Sequence, residues 1–211
     1  MNYFFLSATL MLFACNANHE TAQQETIEKP TLDSVESRPS EVIAKTNIID
    51  GGNDCIHQVT QPTLKNSTYP KAGYQLKNES SSIETIDLDN GDKLILKNWG
   101  CDYAALTFRF ETVRFQEEPS NAGFWYKRIV TLLNEVNKNL DKPPVDVEKG
   151  TERLVTQIEN DLPNGYENLK FGEELDYGEE AIRSFVRIDN VEKLDDKKVA
   201  LEITFAKGPL K

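Results

Sequence analysis

Hydrophobic and polar positions change rhythm several times along this chain, and each change marks an element. Residues 82–88 and 93–99 read as two short strands flanking Asp89-Asn90-Gly91-Asp92. In that linker Asn-Gly supplies the positive φ angles of a tight turn between paired strands. Residues 102–115 follow, with Leu106, Phe108 and Phe110 alternating against Thr107, Arg109 and Glu111. That is the period of two of a half-buried strand, so three antiparallel strands are expected in succession.

The period then lengthens. Ser120 or Asn121 can cap a helix in which Trp125, Ile129, Leu132, Leu133, Val136 and Leu140 recur at helical spacing, and Pro143-Pro144 forbids its continuation. The pattern returns over 151–162 through Leu154, Val155, Ile158 and Leu162, and stops before Pro163-Asn164-Gly165. Residues 181–191 resume the strand period with Ile182, Val186 and Ile188 on one side. Residues 194–197 turn, and 198–206 form a last strand with Val199, Leu201, Ile203 and Phe205 inward. Strands, two helices and strands again, without regular strand–helix alternation, predict an α+β fold in which an antiparallel sheet packs against two helices. These elements fall within residues 51–211, a length that suits one core.

Upstream of them, residues 1–14 carry no charge and run Tyr-Phe-Phe-Leu-Ser-Ala-Thr-Leu-Met-Leu-Phe-Ala from position 3, too short to span a bilayer as a helix. This is the pattern of a signal-peptide core. It ends in Leu12-Phe13-Ala14-Cys15, which resembles the lipobox of bacterial lipoprotein precursors. The resemblance implies that residues 1–14 are removed and that Cys15 becomes the acylated N-terminus. Several acyl chains on one residue would hold the domain durably on a membrane without spanning it. Asn16 stands where an Asp often signals inner-membrane retention, so the resemblance further implies outer-membrane sorting within the cell envelope.

Residues 16–50 hold seven acidic and three basic side chains, with Pro30 and Pro39 and no sustained apolar period. Such a stretch cannot bury enough to fold alone and is expected to act as a solvated tether from residue 15 to 50.

Charge narrows the partners. With 24 Lys+Arg against 35 Asp+Glu, the net charge of -11 opposes binding to nucleic acid, which requires clustered cations. The 38% of hydrophobic residues is sufficient for a core. No motif for a cofactor is present, and no specific reaction is named by any residue set.

Cys55 and Cys101 remain once Cys15 is acylated, and an even pair in an exported chain is most simply a disulfide. Two sharper alternatives use the same residues. His57 can serve as base to a cysteine nucleophile, or to carboxylates, in an envelope hydrolase. Cys55, His57 and Cys101 can also be three ligands of zinc, although a fourth ligand and the paired Cys-x-x-Cys spacing are missing. An exposed, idle histidine beside a disulfide accounts for the same pattern.

Asp87, Asp89, Asn90 and Asp92 resemble a calcium loop in composition, but the glycine stands one place too early for an EF-hand and Lys97 occupies the position of its bidentate Glu. Tight-turn chemistry already explains them, and no metal site is expected. Residues 159–180 concentrate Glu159, Asp161, Glu167, Glu173, Glu174, Asp176, Glu179 and Glu180, with Tyr166, Phe171 and Tyr177 interleaved. Glu167, Glu173, Glu174, Asp176 and Tyr177 are the candidate surface for a basic protein partner, with a solvated acidic loop as the plainer reading. Trp99 and Trp125 are candidates for the platform of a carbohydrate-binding module, with core packing as the alternative. Together these features predict a membrane-anchored, noncatalytic envelope lipoprotein with an acidic, binding or inhibitor-like domain.

Overall fold

A computed structural model of the protein describes residues 55–59, 61–88, 90–178 and 181–209. The signal peptide, Cys15 and the tether expected over 15–50 lie outside the described residues, as do Asp89, Glu179 and Glu180. The hairpin read from Asn90-Gly91 is present. Strand β2 (Ser81–Asp87) pairs with β3 (Lys93–Trp99) from Ser81 opposite Trp99 to Asp87 opposite Lys93. Gly91 takes φ +85°, its N–H donates to the Leu88 carbonyl at 2.9 Å, and Asn90 Oδ1 accepts from the Asp92 N–H at 2.9 Å. β3 continues antiparallel into β4 (Ala104–Thr112).

The chain then leaves the sheet for α1 (Ala122–Asn137) and α2 (Val147–Asp161). It re-enters at the far edge through β5 (Leu175–Asp176) and returns through β6 (Ser184–Lys193) and β7 (Val199–Lys207). With β1 (Gly73–Asn78) at the other end, the sheet order is β1-β2-β3-β4-β7-β6-β5, every neighbour antiparallel. This is the α+β arrangement that the alternating periods predict. Among the described residues, no helix is long and apolar enough to cross a membrane.

One core fills the space between sheet and helices. Leu94, Leu96, Leu106, Phe108, Phe110, Leu201, Ile203 and Phe205 meet Trp125, Ile129, Leu132 and Leu133 from α1 and Leu154 from α2. Asn121 is the residue that caps α1, its Oδ1 accepting from the Phe124 N–H at 3.1 Å. Tyr126, which the helical period did not single out, is fully buried beside Trp125, and its hydroxyl donates to the Lys170 carbonyl at 2.7 Å. Burial pushes that phenol up to about 12. Arg114, just past β4, fastens the hairpin turn to α1: its Nε lies 2.7 Å from the fully buried Asp92 carboxylate, and its other nitrogens grip Glu135 at 3.0 and 2.9 Å.

Several boundaries differ from the sequence reading, each for a physical reason. α2 begins at Val147, four residues before Thr151, because Asp146 Oδ1 accepts from the Lys149 N–H and starts the helix there. Its first turn presents Gly150 and Thr151 to the core, and small residues there hide the apolar period. Leu162 is 59% exposed, since the helix ends at Asp161 and the chain turns away. Ile182 precedes β6 instead of belonging to it, and a bulge between Ile188 and Asn190 lets both Ile188 and Val191 face inward at an odd spacing.

Gly150 marks a close approach of α2 to the sheet. A Cβ there would lie 2.6 Å from the Phe205 ring and 2.9 Å from the Tyr177 ring. Alanine is the better helix former by about 1 kcal/mol, while overpacking a filled core costs roughly 1–3 kcal/mol. Crowding from two rings should win. Gly150→Ala is therefore expected to lower the unfolding free energy by about 1 kcal/mol in urea titration, and a gain would show that the two rings can part freely.

Candidate functional site

The helices cover one face of the sheet; the opposite face carries the candidate site. Strand pairing sets side chains from four strands in rows. One row runs from Trp99 on β3 through Ala105 on β4 and Ala206 on β7 to Phe185 on β6, and Asp176 on β5 continues it. The next row is Lys97, Thr107, Thr204 and Arg187. Two alanines between two large aromatics leave a trough, because their methyl groups stop short of the ring tops. The result is a largely apolar groove of about 430 Å³.

One wall is Trp99 with Tyr103, whose rings meet edge to face at a centroid distance of 5.5 Å. Tyr103 is 41% exposed. The other wall is Phe185 with Arg187. Cations lie over two of the rings, Lys97 Nζ at 5.0 Å from the Trp99 centroid and Arg183 Cζ at 4.9 Å from that of Phe185.

Beneath the walls runs a one-way hydrogen-bond chain. Thr204 Oγ1 donates to Asp189 Oδ2 at 2.6 Å, since the ionised carboxylate can only accept. Thr107 Oγ1 lies 2.8 Å from Thr204 Oγ1 and so donates to it, while receiving the Trp99 Nε1 hydrogen at 3.0 Å. Asp189 is also held by Arg187 Nε. Both hydroxyl hydrogens and the indole N–H are thus committed internally. The floor offers shape, apolar surface and a fixed indole, with no spare proton donor among these three groups.

The Trp99–Tyr103 wall depends on the β3–β4 loop. Gly100 takes φ +123°, and a Cβ there would sit 2.2 Å from the Tyr103 carbonyl oxygen, so the loop closes this tightly only with glycine. The next residue, Cys101, forms the disulfide with Cys55, their Cα atoms 4.7 Å apart. His57 completes the brace, its N–H donating to the Cys101 carbonyl at 2.9 Å and its Nε2 lying 2.9 Å from Asn98 Oδ1.

The expected disulfide is therefore present and lies beside the groove. With both sulfurs in it, neither a thiolate nucleophile nor a zinc thiolate is available from Cys55 or Cys101. His57 faces an amide, with the Asp141 carboxylate on the wall of the same 340 Å³ cavity. In the Asp87 to Asp92 turn, Arg114 already occupies the side chain of Asp92. Among the described residues, no group of three or more His, Cys, Asp or Glu is arranged to hold a metal.

The acidic stretch is only partly free. Glu174 pairs with Arg183 at 2.8 Å and Arg187 at 3.4 Å, and Asp176 with Arg183 at 2.9 Å. These two carboxylates, Glu174 first, hold the Arg183 guanidinium above its ordinary value. Glu167 and Glu173 are exposed and make no ion pair among the described residues.

Tyr177, expected on the partner surface, is instead a core residue, 8% exposed and packed over Gly150. Its hydroxyl has no hydrogen-bond partner among the described residues, and burial, with Asp146 adding to it, pushes the phenol well above its ordinary range. Trp125 is likewise removed from any surface role: it is fully buried, and its Nε1 donates to the Glu118 carbonyl at 2.9 Å. Of the two tryptophans, only Trp99 reaches a groove. Phe185 and Thr204 could have been placed beside it from strand phase, since they alternate with inward residues. Tyr103, on a loop, carried no such signal.

Compared with protein-family models, curated proteins and solved structures, the chain has no match in any of the three.

Because the disulfide closes a loop across 46 positions, the chain-entropy account assigns it about 4 kcal/mol. Cys55→Ala with Cys101→Ala is expected to lose about that much on urea unfolding. A loss below about 1 kcal/mol would mean that the β3–β4 wall holds without the crosslink.

Proposed function

We propose that this protein is an envelope lipoprotein, held on a membrane through acylated Cys15, whose domain is a noncatalytic recognition module with its ligand seat in the aromatic groove. The observation that carries the reading is the groove itself. Three aromatic side chains stand about a floor of two alanines, and the hydroxyl and indole hydrogens beneath are already spent on one another. Such a surface suits buried contact, in which aromatic anchors supply most of the binding energy. It supplies no activated nucleophile.

A protein partner with a basic rim and an apolar plug is preferred. Phe185 adjoins Asp176 in the same row, so the groove lies next to one end of the acidic stretch, where Glu174 and Asp176 are paired with Arg183 and Arg187. Exposed Glu167 and Glu173, in a chain of net charge -11, would raise the association rate of such a partner more than its final affinity. A second reading rests on the edge-to-face pair of half-buried Trp99 and exposed Tyr103, which can present ring surface to a saccharide in a carbohydrate-binding role.

Two measurements test the proposal. Mass spectrometry of the native protein is expected to show residues 1–14 removed and Cys15 acylated; an intact Met1 with an unmodified Cys15 removes the anchor. Separately, the immobilised full-length protein is challenged with envelope extract. Trp99→Ala and Phe185→Ala should each weaken capture of a basic protein by about tenfold or more, and raised salt should weaken it further. Undiminished capture by both variants removes the groove from the binding surface. Competition by envelope oligosaccharides would transfer the site to the saccharide reading.

A further inference from the structure

The two ends of the sheet are finished differently. β5 is two residues long, and Arg153 Nε donates to its Asp176 carbonyl at 3.2 Å, so that edge offers little backbone to another strand. β1 is six residues long, every one exposed, and among the described residues nothing pairs with its outer side. Strand edges are usually blunted by proline, by charges or by bulges. β1 has no proline, and its irregularity comes only between Leu76 and Asn78, near its end. Its single charge, Lys77, reaches back to Gln75 Oε1 at 2.6 Å.

This open edge also carries apolar side chains. Tyr74 and Leu76 are 36% and 51% exposed, and they share a face because they are two apart. Their neighbours on β2 are Glu84 and Ser82, both buried, so the pair prolongs the helix-side face of the sheet past its cover. Glu84 shows where that cover ends: its carboxylate accepts the Thr63 and Leu64 N–H groups at 2.7 and 2.9 Å, fixing the last segment that lies over the sheet there.

We propose that β1 is a homodimerisation edge, pairing antiparallel with β1 of a second copy about a two-fold axis at Gln75. In that register Tyr74 of each copy faces Leu76 of the other, which gathers four apolar side chains into one cluster. Gly73 faces Lys77, Gln75 faces its own equivalent, and no like charges oppose each other. Residues directly opposite in an antiparallel pair meet whether or not they exchange hydrogen bonds, so the register holds for either set of outward-pointing amides.

The occupant follows from this self-complementarity, which an unrelated strand has no reason to share. Five residues a side bury well under the roughly 1,200 Å² of a durable interface, so dimerisation should be weak and dependent on concentration. Anchoring both copies in one membrane would raise their effective concentration. That gain rests on the lipid anchor; the pairing does not.

Sedimentation equilibrium of the full-length chain in density-matched detergent tests the proposal. The native chain should show a monomer–dimer equilibrium that shifts with concentration. Gln75→Lys and Gln75→Glu should each weaken it by about tenfold through like charges across the axis, and an equimolar mixture of the two should restore it. Gln75 is exposed on the outer face, so thermal melting of both variants should match the native chain, which excludes misfolding as the cause. A native chain that stays monomeric at all concentrations would overturn the proposal and point to the tether or a foreign strand on this edge. So would native-like association of both variants, or a mixture no tighter than either alone.

Discussion

The nine-residue ladder between β4 and β7, from Ala104 opposite Lys207 to Thr112 opposite Val199, is the constraint on which both faces of this protein depend. It joins segments about a hundred positions apart: the two threonines bonded across it, Thr107 and Thr204, are separated by 97. On the helix side it sets Phe108 against Phe205, ring centroids 5.6 Å apart and nearly perpendicular. On the other side it sets Ala105 beside Ala206 and Thr107 beside Thr204. Core and groove floor are thus two readings of one pairing. A slip of a single residue would turn Phe205 into the groove and Thr204 into the core, so the large apolar investment on the inner face fixes the geometry of the outer one.

The helices make that register worth keeping. The long-range pairing is costly in chain entropy and is offset only when both helices have docked. Gly150 allows α2 to approach within ring contact of Phe205, and Arg114 links α1 to the β2–β3 turn through two carboxylates. The Arg114–Asp92 pair is the more consequential of the two bonds. Glu135 is partly exposed and screened by water, whereas Asp92 is fully buried, and removing its guanidinium would strand a charge. Packing therefore carries most of the stability, with this ion pair specifying which turn meets which helix.

Much of this was legible in the sequence where one face alone is buried. The β2–β3 hairpin, β4, α1 and β7 follow from period and from turn or cap residues, and the Cys55–Cys101 pairing follows from the even count of cysteines left when Cys15 is set aside. What escaped did so for identifiable reasons. β1 alternates only through Tyr74 and Leu76, and all six of its residues are exposed, so the run is too short and too weakly buried to stand out. β5 is two residues long. The start of α2 is disguised because, after Val147, the core positions of its opening turns are the small residues Gly150 and Thr151. Tyr177 was placed on the surface because its sequence neighbours are acidic, yet the ring turns inward while Asp176 and Gly178 on either side of it stay exposed. The cations that neutralise Glu174 and Asp176, Arg183 just before β6 and Arg187 on it, lie beyond the acidic stretch, so local charge counting overstated its availability. For the groove, Trp99 was visible as a candidate, but its partners come from three other strands and a loop, and only the sheet order brings them together.

That order also separates the two proposed surfaces. The groove spans β3 to β6, whereas the β1 edge lies beyond β2 at the opposite end of the sheet, with its apolar pair on the helix side and the groove on the other. Pairing through β1 would therefore leave both grooves open and, by the two-fold axis, on the same side of one continuous fourteen-stranded sheet. Sheet twist turns them relative to each other. A partner offering two copies of its anchor could then engage both grooves, converting two modest contacts into one durable attachment without any new contact type. A monomeric partner would gain nothing from the pairing. Ligand valency, more than groove chemistry, thus decides whether a weak dimer edge contributes to recognition.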